Sequence, residues 1–397
     1  MRLNKCRWLV NLRVMYTHGS GLGFWFSHMK NIFRDSRSLV FSGFIVGISL
    51  VSGCGGAKIG GPFAAEFVYV ATGTGVAEFA VTTGGQLVPL TPPEIVAAPT
   101  PFNTVWVTAS KDAKYVYAAN KTNGTISQFM IGGSGSLTAQ VPPTVPAGAA
   151  PVSIEITPNS KFVYCLNQTD NTIEQYSVGL TGLLTVLGPA TVPVAAGGTT
   201  LVISPNSNFL YACSTSSDTI SAYSIGVTGQ LTPLAVPTYN VVAASGATIS
   251  PDGTHLYCPC STGTAQFTIG VDGSLTSLAP IVAAYGGGNT NMAFALSANG
   301  KHGYLATFNG SAGGVSPVSQ YNVALDGSLS TLSPGFLGAG NNSTSLVTEP
   351  AGNYLFVVNS FDHTISEFIT ASDGRLVVEA PPTVTPTGAK QITIVTR

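Results

Sequence analysis

Few side chains in this sequence can take part in acid–base chemistry, because Asp, Glu, Lys and Arg together make up only 8% of its 397 residues. Glu155 is the most unusual of them. It stands in the segment SIEITPNSK, whose counterparts along the chain carry mostly apolar or small residues at that position. Burial in such surroundings raises the pKa of an unpaired carboxyl group, and a carboxylate with a raised pKa can act as a general base. Glu155 is therefore the first catalytic candidate.

Four further candidates lie in short polar loops: Asp170, Asp218, Asp362 and His363. If they converge with Glu155 on one pocket, they could assist hydrolysis of a bound ligand. The alternative is structural, because Asp side chains often hold their own loops through Asx turns and a loop histidine is often only solvated. Both interpretations remain open at this stage.

The cationic residues restrict the choice of ligand. No arginine occurs between Ser38 and Gly374. Enzymes that hold phosphorylated or multiply carboxylated substrates need a cationic clamp, preferably the bidentate fork of arginine. The lysines predicted at turns on the face opposite these loops are Lys111, Lys114, Lys161 and Lys301. The ligand class favoured is therefore a small neutral molecule.

Other site classes lack a motif. The sequence contains no nucleotide-binding loop, zinc motif or Gly-x-Ser-x-Gly elbow, so no cofactor is predicted. A calcium site of Glu, Asp and Asn oxygens is conceivable, but no spacing supports it. Residues 54–397 carry nine basic and sixteen acidic groups, without a basic stripe. Nucleic acid is therefore excluded as a partner.

These residues are positioned by a repeat. An aromatic landmark recurs seven times at intervals of 48, 47, 47, 46, 47 and 52 residues. The landmarks are Tyr69, Tyr117, Tyr164, Tyr211, Tyr257, Tyr304 and Phe356. Each is followed by a segment such as TISQF or TISEF, and then by a Gly-x-Leu turn such as GSLTS. Because three landmarks stay in step over seven copies, the repeat defines the fold.

Each copy reads as four short strands, which is typical of a β-propeller blade. In the opening strand, the counterparts of Glu155, counted from the turn, are Trp106, Val202, Thr248, Ala295, Val347 and Thr393. The first copy begins at Glu66 without its opening strand, while Gln391–Val395 matches only an opening strand. We therefore predict an all-β, seven-bladed propeller of four antiparallel strands per blade. The C-terminal strand closes the first blade as its innermost strand, and the landmarks form the core between blades.

The repeat resembles the lactonase-type, YVTN-repeat propellers, the superfamily of bacterial 6-phosphogluconolactonase and carboxymuconate cyclase. The segments YVYAANKTNGTISQF and YLFVVNSFDHTISEF carry the resemblance most clearly, and it extends over residues 66–397. It implies a lactonase-type carboxylic ester hydrolase. The landmarks are structural residues, however, and one fold hosts many functions.

The N-terminal residues read as an export signal. Lys30, Arg34 and Arg37 precede an apolar run from Leu39 to Val51, which is too short to span a bilayer. The following LVSGC resembles a bacterial lipobox, so Cys54 is the predicted lipidation site. The predicted organisation is an over-long N-terminus and signal in 1–53, with Met29 as the true start, a lipidated tether in 54–65 and the propeller in 66–397. The protein is then an outer-membrane or cell-surface lipoprotein of the bacterial envelope, held to the membrane by its lipid alone.

The cysteines allow two states. Cys165, Cys213, Cys258 and Cys260 all lie on predicted second strands. Side-chain alternation directs Cys213 either towards Cys165 or towards Cys258 and Cys260. Export permits a disulfide, and buried free thiols that fill the space between blades are the alternative.

Two functions follow from the sequence. The first is a lipid-anchored lactonase that opens a neutral lactone, with Glu155 as the base that activates water. The second is a non-catalytic propeller that binds a small molecule, a glycan or a protein at its channel face. In either case we predict a monomer. The first predicts convergence of Glu155 with a loop acid or His363; the second predicts scattered acids.

Overall fold

The computed structural model describes residues 66–96, 103–283, 290–308, 314–379 and 381–397. The predicted signal, Cys54 and the tether lie outside these residues. The described residues form seven antiparallel sheets. The strands of the first four blades are β1 (Glu66–Ala71), β2 (Gly75–Val81), β3 (Leu87–Val96), β4 (Thr104–Ala109), β5 (Tyr115–Asn120), β6 (Thr125–Ile131), β7 (Leu137–Pro146), β8 (Pro151–Ile156), β9 (Phe162–Asn167), β10 (Thr172–Val178), β11 (Leu184–Pro193), β12 (Gly198–Ile203), β13 (Phe209–Ser214), β14 (Thr219–Ile225) and β15 (Leu231–Asn240).

The strands of the last three blades follow in the same order. They are β16 (Thr248–Ile249), β17 (His255–Cys260), β18 (Gly263–Ile269), β19 (Leu275–Ala283), β20 (Thr290–Leu296), β21 (His302–Phe308), β22 (Pro317–Val323), β23 (Leu329–Gly338), β24 (Ser343–Thr348), β25 (Tyr354–Asn359), β26 (Thr364–Thr370), β27 (Leu376–Val378), β28 (Thr383–Val384) and β29 (Gln391–Thr396). Blade 7 has its outer strand divided into β27 and β28, both paired with β26.

The predicted closure is confirmed. Strand β29 pairs antiparallel with β1, with Val395 opposite Phe67 and Thr393 opposite Tyr69, so blade 1 has the order β29-β1-β2-β3. The seam between the last and the first blade is filled by a buried cluster that joins Phe356 and Val358 to residues of blade 1 such as Val68. The ring therefore has no free edge at its innermost strands.

The landmark aromatic residues form the core between blades, as predicted. All seven are fully buried. In six of them the tyrosine hydroxyl donates a hydrogen bond of 2.6 to 2.9 Å to a glycine carbonyl in the next blade. The pairs are Tyr69 to Gly135, Tyr117 to Gly182, Tyr164 to Gly229, Tyr211 to Gly273, Tyr257 to Gly327 and Tyr304 to Gly374. Each hydroxyl thus ties its blade to the next blade's outer hairpin.

Those hairpins require glycine. Gly182 has a φ of 82°, and a Cβ atom there would lie 2.2 Å from the ring of Tyr115 in the preceding blade. Glycine at this position thus provides both the left-handed backbone and the space for an aromatic ring. This explains why the Gly-x-Leu turn stays in step with the aromatic landmark.

Phe356 is the landmark that lacks a hydroxyl, and it lies at the closing seam. We expect Phe356→Tyr to raise the free energy of unfolding by about 1 kcal/mol, because its hydroxyl can reach the equivalent carbonyl of Gly85. Urea unfolding of both proteins measures the difference. The reverse change Tyr304→Phe, which removes such a bond, is the control and should destabilise. A destabilised Phe356→Tyr protein would show that the seam lacks room for the hydroxyl.

The structure shows which way the side chain of Cys213 points. Cys213 shares one buried cluster with Cys258 and Cys260, whereas Cys165 belongs to another cluster. All four are buried free thiols, and the thiol of Cys213 lies 3.1 Å from the carbonyl oxygen of Gly246. In this structure the cysteines therefore fill space between blades.

No helix within the described ranges is long and apolar enough to cross a membrane.

Candidate functional site

The innermost strands surround a cavity of about 980 Å³ on the axis of the ring. All seven blades contribute to its wall, through β4, β8, β12, β16, β20, β24 and β29. The lining is largely apolar, with Val105, Leu201, Phe294 and Leu346 among its residues. A cavity of this size and character suits a small organic ligand.

Glu155 lies in the wall of this cavity and is the one acidic side chain among the described residues that line it. It is half-buried on β8. The indole Nε1 of Trp106 donates to its Oε1 at 3.1 Å, and the hydroxyl of Thr108 donates to its Oε2 at 3.3 Å. Both donors belong to the neighbouring blade, so the carboxyl group is held in a fixed orientation.

Burial raises the pKa of Glu155 to about 7, although the hydrogen bonds from Trp106 and Thr108 lower it. A carboxyl group with this pKa exchanges its proton near neutral pH. It can therefore take a proton from water and return it to a leaving group within one reaction cycle. The arrangement fits general-base chemistry on an ester or lactone.

The counterpart predicted for Glu155 in blade 2, Trp106, was wrong. Glu155 lies opposite Tyr164, and the residue opposite the equivalent Tyr117 is Thr108, whereas Trp106 lies opposite Ala119. Thr108 is thus the counterpart of Glu155. The turn that follows in blade 2 contains no proline to mark it, so counting from the turn was displaced by two residues. Because side chains alternate along a strand, Trp106 still faces the same side and reaches Glu155.

The loop candidates do not line the cavity. In each case the side chain joins its loop to the chain segment that enters the same blade or leaves it. The Oδ2 atom of Asp170 accepts from the amide of Ala149 at 2.6 Å, and Oδ2 of Asp362 accepts from the amide of Asn341 at 2.6 Å. Asp218 contacts the segment that leaves its blade, because its Oδ1 accepts from the amide of Ala243 at 2.7 Å.

His363 occupies a position that turns the backbone. Its φ is 54°, close to the 55° of Asp218 and the 52° of Asn171 at the same place in other blades. Its Nδ1 lies 3.4 Å from the amide of Gly388. Neither His363 nor the loop acids therefore meet Glu155 in one pocket.

Hydroxyl groups in the cavity wall present their oxygen lone pairs. Thr200 donates its proton to the carbonyl of Ser245 at 3.1 Å, Thr344 donates to that of Lys390 at 2.8 Å, and Thr248 donates to that of Phe294. Because these protons are used by the backbone, the oxygens remain as acceptors for a ligand. The wall therefore matches a molecule with hydroxyl donors and apolar faces.

Sequence reasoning missed a pair of neighbouring lysines beside the cavity mouth, which is the end of the cavity lined by Ser245, Ser360 and Lys390. Lys390 lines the cavity, and its ammonium group donates to Oδ1 of Asn103. Burial lowers the pKa of Lys390, and the nearby charge of Lys121 lowers it further. The ammonium of Lys121 donates to Oε1 of Gln168 at 3.2 Å. Ring closure brings the two lysines together. The sequence gave no signal of this pair, because the two residues lie in loops far apart along the chain.

No three His, Cys, Asp or Glu side chains come together as metal ligands anywhere in the described part of the chain. The candidate site is therefore defined by Glu155, its two donors, the threonine acceptors and the lysine pair.

Seven four-stranded blades around an axial cavity define the class of the protein as a seven-bladed β-propeller. The model of the family "Lactonase, 7-bladed beta-propeller" matches residues 88–197. The match covers 110 of the 397 residues, and over these residues the chain resembles the lactonase-type propellers. No curated protein sequence matches it.

Solved structures with the same fold are distant in sequence. A putative 6-phosphogluconolactonase from Bacteroides fragilis is 19% identical with a TM-score of 0.71, and the match covers 84% of this chain and 98% of that one. The periplasmic gluconolactonase of Pseudomonas aeruginosa is 16% identical with a TM-score of 0.67, covering 83% and 99%. At this level of identity, the likeness establishes the fold and leaves the reaction to the site.

Proposed function

We propose that the protein is an exported, lipid-anchored lactone hydrolase that opens a neutral sugar lactone in its axial cavity. The observation that carries the proposal is Glu155, a lone carboxyl group in the cavity wall, with its pKa raised to about 7 and each oxygen held by one donor. The family match and the two gluconolactonase-like structures support a lactone as the substrate.

The reaction follows from this arrangement. The ionised carboxylate of Glu155 removes a proton from a water molecule while the water oxygen bonds to the lactone carbonyl carbon. The tetrahedral intermediate then collapses, its ring C–O bond breaks, and the ring oxygen leaves as an alcohol with the proton held by Glu155. The product is an open-chain hydroxy acid, which ionises to a carboxylate.

The remaining wall fits the same ligand. The threonine oxygens accept hydrogen bonds from sugar hydroxyl groups, and the apolar residues contact the ring faces. Lys121 and Lys390 give the mouth a positive potential. This potential favours departure of the carboxylate product towards the mouth over its retention beside Glu155.

The first experiment is an assay of purified residues 57–397, which form one compact unit, against glucono-lactone and its 6-phosphate. We expect turnover of the neutral lactone above the uncatalysed rate, with a lower kcat/KM for the phosphate because no arginine lines the described cavity wall. Spontaneous hydrolysis in buffer is the control. Absence of turnover on both lactones contradicts the enzyme proposal.

The second candidate is a binding propeller without catalysis. It is favoured by one observation: Asp170, Asp218, Asp362 and His363 serve their own loops and do not join Glu155. Binding of the neutral lactone or of a free sugar, measured by calorimetry without turnover, supports this candidate.

The anchor is tested separately. We expect the full chain expressed in bacteria to incorporate labelled palmitate and to partition with the envelope. Cys54→Ser removes the thiol that would be acylated, so the label should be lost. Label retained by the Cys54→Ser protein contradicts lipidation at this residue, whatever the outcome of the lactone assay.

A further inference from the structure

One face of the ring carries an arc of exposed aliphatic side chains. This turn face is made by the turns between the first and second strands and between the third and fourth strands of each blade. In four consecutive blades, the tip of the outer turn is aliphatic: Leu180, Val227, Val271 and Leu325. Their relative exposures lie between 100% and 105%, the highest of the large apolar residues in the described ranges.

The turns themselves do not need these side chains. Each is closed by backbone hydrogen bonds, as from the amide of Gly182 to the carbonyl of Gly179 at 2.9 Å. In the other three blades the same position is taken by Thr83, Gly133 and Ser372. Four aliphatic residues that are fully exposed on one face, without a role in the fold, indicate an interaction surface.

The path of the chain indicates the occupant of this surface. Strand β1 starts at Glu66 on the turn face, where Glu66 lies opposite Thr396 at the end of β29. The predicted lipidation site, Cys54, precedes Glu66 by twelve residues. A chain of this length spans at most about 40 Å when fully extended. A lipid on Cys54 would therefore keep the start of β1, on the turn face, within this distance of a bilayer.

The charges of the turn face favour the same occupant. Both basic and acidic groups lie there, and four of them form two ion pairs: Lys114 with Asp112 at 2.9 Å and Arg375 with Asp373 at 2.5 Å. Asp272 and Asp326 follow two of the aliphatic tips directly. This pattern does not match a strongly anionic or cationic partner. It suits a zwitterionic lipid surface that is contacted through apolar tips.

We propose that the turn face contacts a lipid bilayer, with Leu180, Val227, Val271 and Leu325 inserted at its interface and the cavity mouth directed away from the membrane. The contact is additional to the lipid on Cys54, which the sequence predicts as the sole attachment. It leaves the mouth near Lys121 and Lys390 open to ligands from solution. The proposal does not depend on the lactonase reaction.

The test uses residues 57–397, a compact unit that lacks the predicted anchor. Flotation with phosphatidylcholine vesicles measures partition of the wild type and of a variant with Leu180, Val227, Val271 and Leu325 all changed to Ser. We expect the variant to partition at least about tenfold less. The binding of the wild type should vary little with salt, because the contact is apolar.

The matched control changes exposed apolar residues elsewhere, namely Val141, Val242 and Phe361, to Ser; these are 88%, 64% and 60% exposed. It should partition like the wild type. A second readout is an environment-sensitive fluorophore on Leu180→Cys or on Val242→Cys, since the described native cysteines are all buried. The emission should shift with vesicles only at position 180.

Three outcomes overturn the proposal: equal partition of the wild type and the four-Ser variant, a fluorophore shift at position 242 instead of 180, or self-association of the wild type that the four-Ser variant loses. The last would assign the arc to a second copy of the chain. The lactone assay is independent of all three, so failure of this proposal is distinguishable from failure of the proposed reaction.

Discussion

Glu155→Gln is expected to lower kcat/KM for the neutral lactone by about 10² to 10⁴, the usual contribution of a general base. The change keeps the size of the side chain, and the amide oxygen can still accept from Trp106 or Thr108. What is lost is the capacity to take a proton from water. Initial rates at saturating and at low lactone concentration separate kcat from KM, and most of the loss should fall on kcat.

The pH profile sharpens this prediction. Because the base must be ionised, kcat/KM should rise with pH and level off above about 7, the pKa to which burial raises Glu155. Thr108→Val removes a hydrogen bond that lowers this pKa, so its profile should move to higher pH. Asp362→Asn is the matched control because Asp362 holds a loop away from the cavity. Turnover of Glu155→Gln within twofold of the wild type would exclude Glu155 as the base.

The fold was predictable because the repeated residues do structural work in every blade. The landmark tyrosines and the turn glycines contact one another across each blade boundary, as in Tyr117 with Gly182, so they recur in step. The closing strand was predictable for a related reason. Gln391–Val395 matches an opening strand in sequence and has no partner within its own copy.

The site was predictable only in part. Glu155 stood out because it departs from the repeat, and it does line the cavity. The neighbours of Glu155 depend on strand register. Counting from the turn gave Trp106 as its counterpart in blade 2, whereas the register gives Thr108. The approach of Lys121 to Lys390 depended on ring closure, which joins loops far apart in the chain. Departures from a repeat can be read from sequence, whereas contacts between blades require the structure.

A second departure from the repeat concerns stability. In the third strand of most blades a glutamine joins two blades: Oε1 of Gln128 accepts from the amide of Leu184 at 2.7 Å, and its Nε2 donates to the carbonyl of Pro142 at 3.2 Å. Gln175 does the same with Leu231 and Pro189, at 2.6 and 3.0 Å. Each glutamine thus uses its amide oxygen as an acceptor and its amide nitrogen as a donor.

Blade 1 has Glu78 at this position. One of its oxygens accepts from the amide of Leu137 at 3.0 Å, and the other is buried without a partner. Pro142 follows Gln128 by fourteen residues, and Pro92 follows Glu78 by the same number. We therefore expect the carbonyl of Pro92, which is also an acceptor, to be the neighbour of that oxygen. Burial raises the pKa of Glu78 from its usual 4.5 to about 7, against the hydrogen bond from Leu137. The protonated acid can donate to the carbonyl, as the glutamine amide does.

Glu78→Gln is therefore expected to stabilise the protein at pH 8 by about 2 kcal/mol and to have little effect at pH 4. The sign follows from the two pKa values. Between pH 4.5 and 7 the unfolded state releases its proton while the folded state retains it, so stability falls as pH rises through this window. Because glutamine does not titrate, the Glu78→Gln protein does not lose this stability as the pH rises. Urea unfolding of residues 57–397 at both pH values measures the difference.

Gln128→Glu is the mirror-image control, because it places a carboxyl group where blade 2 has the glutamine. It should destabilise at pH 8 and recover most of the loss at pH 4. If Glu78→Gln changes stability equally at both pH values, the proton on Glu78 is not the cause. If Gln128→Glu is neutral at pH 8, the Nε2 donor to Pro142 contributes nothing measurable. Agreement of both variants would show that blade 1 keeps the common inter-blade joint by holding a proton near neutral pH.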